Sequence, residues 1–523
     1  MRQFRSLVVL TAAAFAALGL AVSAGAADSV VAPRAATTVA RTTSPQLALQ
    51  RALALFAPGR VDAAYRTAVR NVHGRDATLV LRDLVAARPA LSRSDRRLAD
   101  ALLARPTDGA NVNDDSSAIW NSTARAHKKR FCNTHFCIHW TTRTTEAPSL
   151  TDTNPHNGRP DYIDKTIKNM NTVWSTEIGK YDYQRPLRDS DSGGHHGGNP
   201  NRRIDIFISN IGNVGLYGYC TSDDPSAGRQ LSAYCVIDDN FSPSEFTSGA
   251  TRNNANKVTL AHEFFHAVQF AYDTFDDPAV MEGTATWMED QVFTSINDNR
   301  QYLDTSPLGS DPYAPLDLFA SSGLFNGWQY GTWIWYRFLS EHLGAGTSDA
   351  PAVIRQLWNQ AVGTGPSHDG LGALAVVLTN RGTSMANEMR IFGEWNTSPG
   401  APGHYREGGA YSAATPLNGG TLNTTNDGTI NNYDMARRSN DYIRFAPPST
   451  SGTKLQVSGV SIPASARIEV IPFSTATTAG TPVNVTSGGT IPFSADGVHH
   501  VVFVFTNSGA SAAKFDLTLT VLP

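Results

Sequence analysis

Val258–Phe270 reads VTLAHEFFHAVQF and lies near the middle of a chain of 523 residues. Positions four apart on a helix share one face, so His262 and His266 can direct their imidazoles at the same metal ion. Glu263 stands beside them and can reach a water molecule at that ion without being a ligand. The apolar residues of the stretch would bury the helix and hold it rigid. The stretch therefore predicts a buried helix that carries a metal site.

Chance is a poor explanation of this pattern. The chain contains 14 histidines, and its composition alone gives about 0.01 expected matches to H-E-x-x-H. The structural alternative is an amphipathic helix whose histidines only form hydrogen bonds in the core. Acidic residues downstream of the helix favour the metal site over that alternative.

A catalytic zinc site needs a third protein ligand and keeps one position open. In the class with three histidines the motif continues as H-E-x-x-H-x-x-G-x-x-H. Here Gln269 and Tyr272 stand where the Gly and the last His should be. That class is excluded, and a carboxylate is the expected third ligand.

Val280–Asp290, with the sequence VMEGTATWMED, supplies such carboxylates. The turn residues of Asp273–Pro278 should end the first helix and bring Glu282 back beside the histidines. We predict Glu282 as the third ligand. Glu289 follows on the same helical face, and it could bind the metal instead or orient a ligand together with Asp290.

These two segments resemble the gluzincin-type zinc metallopeptidases. In those enzymes H-E-x-x-H supplies two ligands and the general base, and a later E-G-x-A or E-x-x-x-D segment supplies the third ligand. The resemblance is closest to a group of secreted bacterial metallopeptidases, which also show segments like Asn157–Asp164 (NGRPDYID) and Tyr217–Tyr219 (YGY). It covers roughly Phe136–Leu343 and is specific at the two metal segments.

The resemblance implies a zincin-like fold that binds Zn²⁺ through His262, His266 and Glu282 and uses Glu263 as the general base. Thr286 stands where the Asp of E-x-x-x-D would be. The usual hydrogen-bond partner of the first histidine must therefore come from elsewhere in the chain.

Peptide hydrolysis also needs a donor for the oxyanion that develops during the reaction. Tyr330, which lies in Trp328–Gly331 (WQYG) ahead of an aromatic-rich helix, is the candidate, with His342 behind it. The alternative for Tyr330 is core packing among the neighbouring Trp and Tyr residues.

The N-terminus has the features of a secretory signal peptide, which we place at residues 1–27. Arg2 and Arg5 precede the apolar run Leu7–Val22, and small residues follow it. No later stretch has the ~20 apolar residues that a membrane-spanning helix needs. We therefore expect a secreted, extracellular protein without a membrane anchor.

Four cysteines suit such an oxidising compartment. We predict the local pairs Cys132–Cys137 and Cys220–Cys235, one of the three pairings that four cysteines allow. A zinc site built from all four is the alternative, but their spacing does not match paired C-x2-C knuckles.

Residues 28–116 are predicted to form a helical segment whose role the sequence leaves open. The stretch 28–106 holds thirteen Arg and six acidic residues, a net charge of +7 in a chain whose total is −3. This segment and the acidic remainder should therefore attract each other. The segment is either a propeptide that inhibits the active site until it is cut off, with Lys128–Arg130 as one cleavage point, or an accessory domain that stays attached.

The remaining chain predicts an α+β fold in two parts. A zincin-like metallopeptidase domain is expected at 117–415, and alternating strands such as Phe515–Val521 (FDLTLTV) indicate a β-sandwich at 425–523. The strands predicted for the first part are 136–140, 203–208 and 232–237. Its predicted helices are 161–178, 256–273, 280–296, 329–343, 352–362 and 384–395.

Two further features carry weaker hypotheses. Asp152–Asp161 offers closely spaced oxygen donors of the calcium-loop type, with an ordinary turn at Asn157 and Gly158 as the favoured alternative. His195 and His196 could bind a metal, although the Gly and Asp residues around them favour a solvated loop.

The sequence thus predicts a secreted zinc-dependent endopeptidase that acts on protein or peptide substrates, and its N-terminal segment is the expected intramolecular inhibitor if that segment is a propeptide. The alternative is a non-catalytic secreted binding protein with a degenerate metal site, acting through its β-sandwich. No Lys/Arg run indicates nucleic-acid binding, and no G-x-S-x-G segment supports a serine hydrolase.

Overall fold

The computed structural model of the chain has an α+β fold, as predicted. It describes residues 44–72, 74–107, 129–143, 145–188, 203–224, 228–246, 251–345, 351–425 and 428–523. Twelve α-helices and three β-sheets lie within these ranges. The predicted signal peptide at 1–27 and the His195-His196 pair fall outside the described residues.

The central sheet has five strands. These are β1 Lys129–Cys132, β2 Phe136–Trp140, β3 Ile204–Ser209, β4 Gly218–Thr221 and β5 Tyr234–Asp238. Their order is β1-β2-β3-β5-β4, with β2, β3 and β5 parallel and the two edge strands antiparallel to their neighbours. The three predicted strands correspond to β2, β3 and β5. Strands β1 and β4 have four residues each, too few to show a period in the sequence.

Four short helices form the N-terminal segment. They are α1 Pro45–Phe56, α2 Arg66–Val69, α3 Ala77–Ala87 and α4 Arg93–Leu103. They cover one face of the central sheet, because Phe207 of β3 and Val236 of β5 belong to the same hydrophobic cluster as the helices. The alternate residues Ile206 and Ile237 belong to the core on the opposite face. The N-terminal segment therefore shares its core with the sheet.

Eight helices of the body follow. They are α5 Asp161–Trp174, α6 Arg252–Asp273, α7 Pro278–Val292, α8 Trp328–Gly331, α9 Trp333–His342, α10 Ala352–Ala361, α11 Leu371–Asn380 and α12 Met385–Thr397. The sequence did not predict α11, and the helix predicted at 329–343 is divided into α8 and α9. Thr251 caps α6 and Asp277 caps α7, each through a hydrogen bond to a backbone amide, and Pro278 opens α7. Asp277 and Pro278 fix the sharp turn between α6 and α7.

Arg105, just after α4, attaches the N-terminal segment to the sheet a second time. Its buried guanidinium donates to Asp205 at 2.6 Å and to Asp223 at 2.9 Å. Asp205 also lies 2.8 Å from Nε2 of His139. The guanidinium carbon lies 5.4 Å from the ring centroid of Tyr234. Buried charges require such pairing, because an unpaired one is strongly destabilising.

A β-sandwich follows the body. Its strands are β6 Leu417–Thr421, β7 Gly428–Met435, β8 Ser439–Ala446, β9 Lys454–Ser461, β10 Ala466–Phe473, β11 Val483–Asn484, β12 Gly489–Pro492, β13 His500–Asn507 and β14 Ala513–Leu522. One sheet has the order β11-β10-β13-β8-β6 and the other β12-β9-β14-β7, and they enclose one hydrophobic cluster. The sandwich begins before the predicted residue 425, because β6 pairs in parallel with β8.

Two disulfides join neighbouring strands. Cys132 bonds Cys137, and Cys220 bonds Cys235, which confirms both predicted pairs. Disulfides are typical of proteins in oxidising compartments. Among the helices of the described ranges, none has both the length and the apolar character that crossing a membrane requires. Lys129 and Arg130 belong to β1, so a cut at the predicted basic site would divide a strand.

Candidate metal centre

The packing of α7 determines where the predicted third ligand lies. Glu282 is followed by Gly283, at which an added Cβ would meet Oγ1 of Thr332 at 2.5 Å and the Tyr336 ring at 2.7 Å. Glycine at this position therefore lets α7 approach α8 and α9 closely. This close packing explains why a glycine follows Glu282 in the sequence.

His262, His266 and Glu282 converge. Nε2 of His262 lies 3.1 Å from Nε2 of His266 and 3.1 Å from Oε2 of Glu282. Nε2 of His266 lies 3.6 Å from the same oxygen. A tetrahedral zinc ion with bonds of about 2.0–2.1 Å separates its ligand atoms by about 3.3 Å. Oε1 of Glu282 is buried without a hydrogen-bond partner, and the three donors together fit a zinc ion.

Each histidine is held through its other ring nitrogen. Nδ1 of His262 lies 2.8 Å from Oε1 of Glu289, and Nδ1 of His266 lies 2.7 Å from Oε1 of Gln269. The Gln269 amide donates in turn to the Met281 carbonyl at 2.9 Å. Such partners fix the tautomer and the orientation of metal-binding histidines. Glu289 thus orients the candidate ligand His262 and takes the place that Thr286 left open.

Gln269 is a positioning residue that the sequence reasoning missed. In the sequence it stands out only as a departure from the three-histidine motif. Its spacing of three residues from His266 places both side chains on one face of α6, and this spacing could have indicated the contact.

The charges of the centre are strongly coupled. Burial raises the pKa of Glu282, but the two histidines outweigh burial and lower it to about 2. Burial lowers the pKa of His262, yet its hydrogen bonds to Glu282 and Glu289 raise it well above the ordinary value. Hydrogen bonds that favour the protonated form of His262 compete with metal binding, because a histidine has to be neutral to bind a metal.

The side chain of Glu263 contacts the N-terminal segment. Its Oε2 accepts a hydrogen bond from Oγ1 of Thr78 in α3 at 3.0 Å. The same hydroxyl accepts from the backbone amide of Cys220 in β4 at 2.9 Å. Burial raises the pKa of Glu263, although the neighbouring histidines oppose this rise. The predicted general base is thus close to the triangle of ligands and is covered by α3.

Tyr330 is also close to the centre and also covered. Its ring centroid lies 6.2 Å from that of His262, and its hydroxyl donates to Oδ1 of Asp76 at 3.0 Å. Asp76 accepts further hydrogen bonds from Gln329 at 3.2 Å and Ser321 at 2.9 Å. The hydroxyl predicted to stabilise an oxyanion is thus bonded to the N-terminal segment.

One cavity adjoins the centre, and a second cavity shares part of its wall. The first, about 60 Å³, is lined by His262, Glu263 and Glu289, and the second measures about 350 Å³. Arg75 and Tyr330 line both cavities. The first has room for a few water molecules but is far smaller than the several hundred Å³ of a typical ligand site. A peptide could not reach Glu263 while the N-terminal segment stays in this position.

No protein-family model, curated protein or solved structure matches this chain. The resemblance to the gluzincins stays a prediction that rests on the two quoted segments.

Two residues predicted near the site have other partners. Asp290 does not join Glu289 at His262, because adjacent residues of a helix point in different directions. Its carboxylate is paired with the buried guanidinium of Arg337. His342 does not stand behind Tyr330 but stacks on Phe338, with 5.2 Å between the ring centroids.

The acidic residues of the predicted calcium loop have partners within their own turn. Asp152 accepts hydrogen bonds from the amides of Asn157 at 3.0 Å and Gly158 at 2.7 Å. Asp161 accepts from the amide of Thr153 at 2.8 Å. Gly158 has a φ of 82°, a left-handed conformation that glycine adopts without strain. These hydrogen bonds account for the acidic residues as parts of an ordinary turn.

Proposed function

We propose that this chain is a secreted zinc-dependent endopeptidase. The convergence of His262, His266 and Glu282 beside a fourth, separate acid, Glu263, carries the proposal. Two imidazoles and one carboxylate with an open position are the donor set of hydrolytic zinc centres. The signal-like N-terminus and the two disulfides support secretion.

The residues of the chain have distinct tasks in this proposal. Bound zinc would polarise the scissile carbonyl and lower the pKa of water. The carboxylate of Glu263 takes the proton of the attacking water and returns it to the leaving amine. Glu289 and Gln269 keep the two imidazoles from turning.

Tyr330 completes the site only after a rearrangement. Its hydroxyl can donate to the oxyanion once Asp76 no longer accepts its hydrogen bond. Thr78 likewise has to leave Glu263 before a substrate can approach that carboxylate. The N-terminal segment therefore acts as an inhibitor in cis, because it occupies the general base and the oxyanion donor together.

Metal content and hydrolysis test the proposal together. The purified full-length chain is expected to contain one zinc per molecule by elemental analysis. Glu282→Ala should lose the zinc, whereas Glu263→Gln should keep it. After removal of the N-terminal segment, wild type should hydrolyse casein and Glu263→Gln should not.

Glu394→Gln serves as the matched control, because Glu394 is a partly buried glutamate of α12 that lines neither cavity. It should match wild type in both zinc content and hydrolysis. A zinc-free wild type, or equal hydrolysis by wild type and Glu263→Gln, contradicts the proposal.

A further inference from the structure

Arg75 lines the cavity that borders the candidate metal centre. It is an exposed residue, and its guanidinium carbon lies 5.4 Å from the ring centroid of Tyr302. Tyr302 stacks on Tyr330 at 5.2 Å, and Tyr330 lies 6.2 Å from His262. The guanidinium is thus the outer end of a row of rings that leads to a candidate metal ligand.

The same cavity has an acidic residue in its wall. Asp298 lines it together with Gln301, Tyr302 and Tyr217. The Gln301 amide donates to Oδ2 of Asp298 at 2.8 Å, which fixes the carboxylate. Burial raises the pKa of Asp298, and the charge of Arg75 opposes that rise. An aromatic face beside a carboxylate is a combination that binds guanidinium and ammonium groups.

Arg75 belongs to the short stretch that blocks the site. Asp76 contacts Tyr330, and Thr78 contacts Glu263. A substrate has to reach the same two groups, so its chain must enter the space that residues 75–78 now fill. The position of the Arg75 side chain therefore indicates where a substrate side chain can bind.

We propose that Asp298 and Tyr302 form a subsite for a cationic side chain, Lys or Arg, of the peptide substrate. Arg75 occupies this subsite while the chain is latent. The inference rests on the proposed peptidase function and names its substrate class. Asp298 supplies the charge that selects a cation, and Tyr302 supplies the flat surface beneath it. Peptides with a basic residue at the matching position are the preferred substrates.

A binding experiment on the zinc-loaded, full-length chain tests the subsite without requiring hydrolysis. Arg75→Ala removes the guanidinium, and benzamidine is then titrated by calorimetry, with the neutral benzamide and the anionic benzoate as comparison probes. Benzamidine should bind Arg75→Ala about tenfold more tightly than wild type. The double variant Arg75→Ala/Asp298→Asn should lose about the same factor. Benzamide and benzoate should bind none of these proteins measurably.

Two control substitutions keep the charge changes but lie away from the cavity. Arg93→Ala alters an exposed arginine of α4, and Asp304→Asn alters an exposed aspartate of the same 3₁₀ turn as Asp298. Neither should change benzamidine binding. Arg75→Gln, which keeps the side-chain length, repeats the test if the alanine variant unfolds.

The result separates this inference from the proposed function. Equal binding of benzamidine and benzamide, or binding that Asp298→Asn leaves unchanged, overturns the cationic subsite even if casein is hydrolysed. Selective benzamidine binding through Asp298 supports the subsite even in a chain that proves inactive on casein.

Discussion

Gln269 connects the two helices that carry the candidate ligands, because it accepts from His266 and donates to the Met281 carbonyl. Replacing it with alanine leaves Nδ1 of His266 without its partner. Gln269→Ala should therefore lower zinc affinity about 10- to 100-fold, as is usual for residues that orient metal-binding histidines. Competition with a chromophoric chelator measures this affinity. Gln291→Ala, at the end of α7, is the control, and equal affinities of the two variants would refute the role of Gln269.

Asp441 predicts a pH dependence of stability in the β-sandwich. Burial raises the pKa of Asp441 to about 7, against the hydrogen bond from Tyr433 at 2.9 Å. The folded state therefore binds a proton that the unfolded state releases above about pH 4. The free energy of unfolding falls as pH rises between these values, by at most about 1.4 kcal/mol per pH unit.

Asp441→Asn should remove this contribution, so the stability of the variant relative to wild type increases from pH 4 to pH 7. Urea unfolding at several pH values measures the difference. Asp434→Asn, at an exposed carboxylate of β7, should run parallel to wild type. The idea fails if Asp441→Asn runs parallel as well.

The sequence predicted the contacts between site residues that lie close together along the chain. His262, Glu263 and His266 lie on one turn of α6, and Glu282 follows across a single turn. Thr78 could not be predicted in this way, because 185 positions separate it from Glu263. Asp76 and Tyr330 are 254 positions apart. Helical periodicity carries no information on contacts at such separations.

At the scale of elements, Arg105 holds the N-terminal helices on the sheet. Arg105→Ala leaves Asp205 and Asp223 buried without their cationic partner. The free energy of unfolding should fall by about 3–5 kcal/mol, the usual cost of breaking a buried ion pair. Urea unfolding followed by tryptophan fluorescence measures the loss.

Arg93→Ala is the control for this variant, because Arg93 is an exposed arginine of α4. Its effect should stay within about 0.5 kcal/mol. A similarly small effect of Arg105→Ala would show that the ion pairs do not hold the segment. Arg105→Lys should recover only part of the loss, because lysine lacks the fork that reaches both carboxylates.

Elements with a strong period were predicted well, and short ones were not. The strands β2, β3 and β5 are buried because helices cover both faces of the sheet, and the alternation at 203–208 was enough to predict β3. The helix predicted at 161–178 ends as α5 at Trp174 and continues as a π-helical turn, Ser175–Lys180. Side-chain period alone does not distinguish these two kinds of helix.

At the scale of the whole molecule, the shared core predicts the outcome of a single cut. A site for a sequence-specific protease placed between residues 108 and 116 would separate the N-terminal helices from the body. The two pieces should still elute together from a size-exclusion column, because α1, α3 and α4 bury apolar side chains against β3, β4 and β5. Casein hydrolysis should stay low until the N-terminal piece is itself degraded.

The same cut chain in urea is the control, and there the two pieces should separate. Separation in native buffer with full hydrolysis would show that covalent attachment, and not the shared core, keeps the segment in place.

The hydrogen bond from the Tyr234 hydroxyl in β5 to the Leu103 carbonyl at the end of α4 joins residues that are 131 positions apart. During translation, the four N-terminal helices are therefore synthesised long before β5, the last of the strands against which they pack. Before β5 is synthesised, β3 and β4 offer only part of the apolar surface that these helices cover, and loop closure over so many residues is slow. Since β5 ends at Asp238 and α6 begins at Arg252, the four helices can pack on the sheet before the candidate metal ligands have been synthesised.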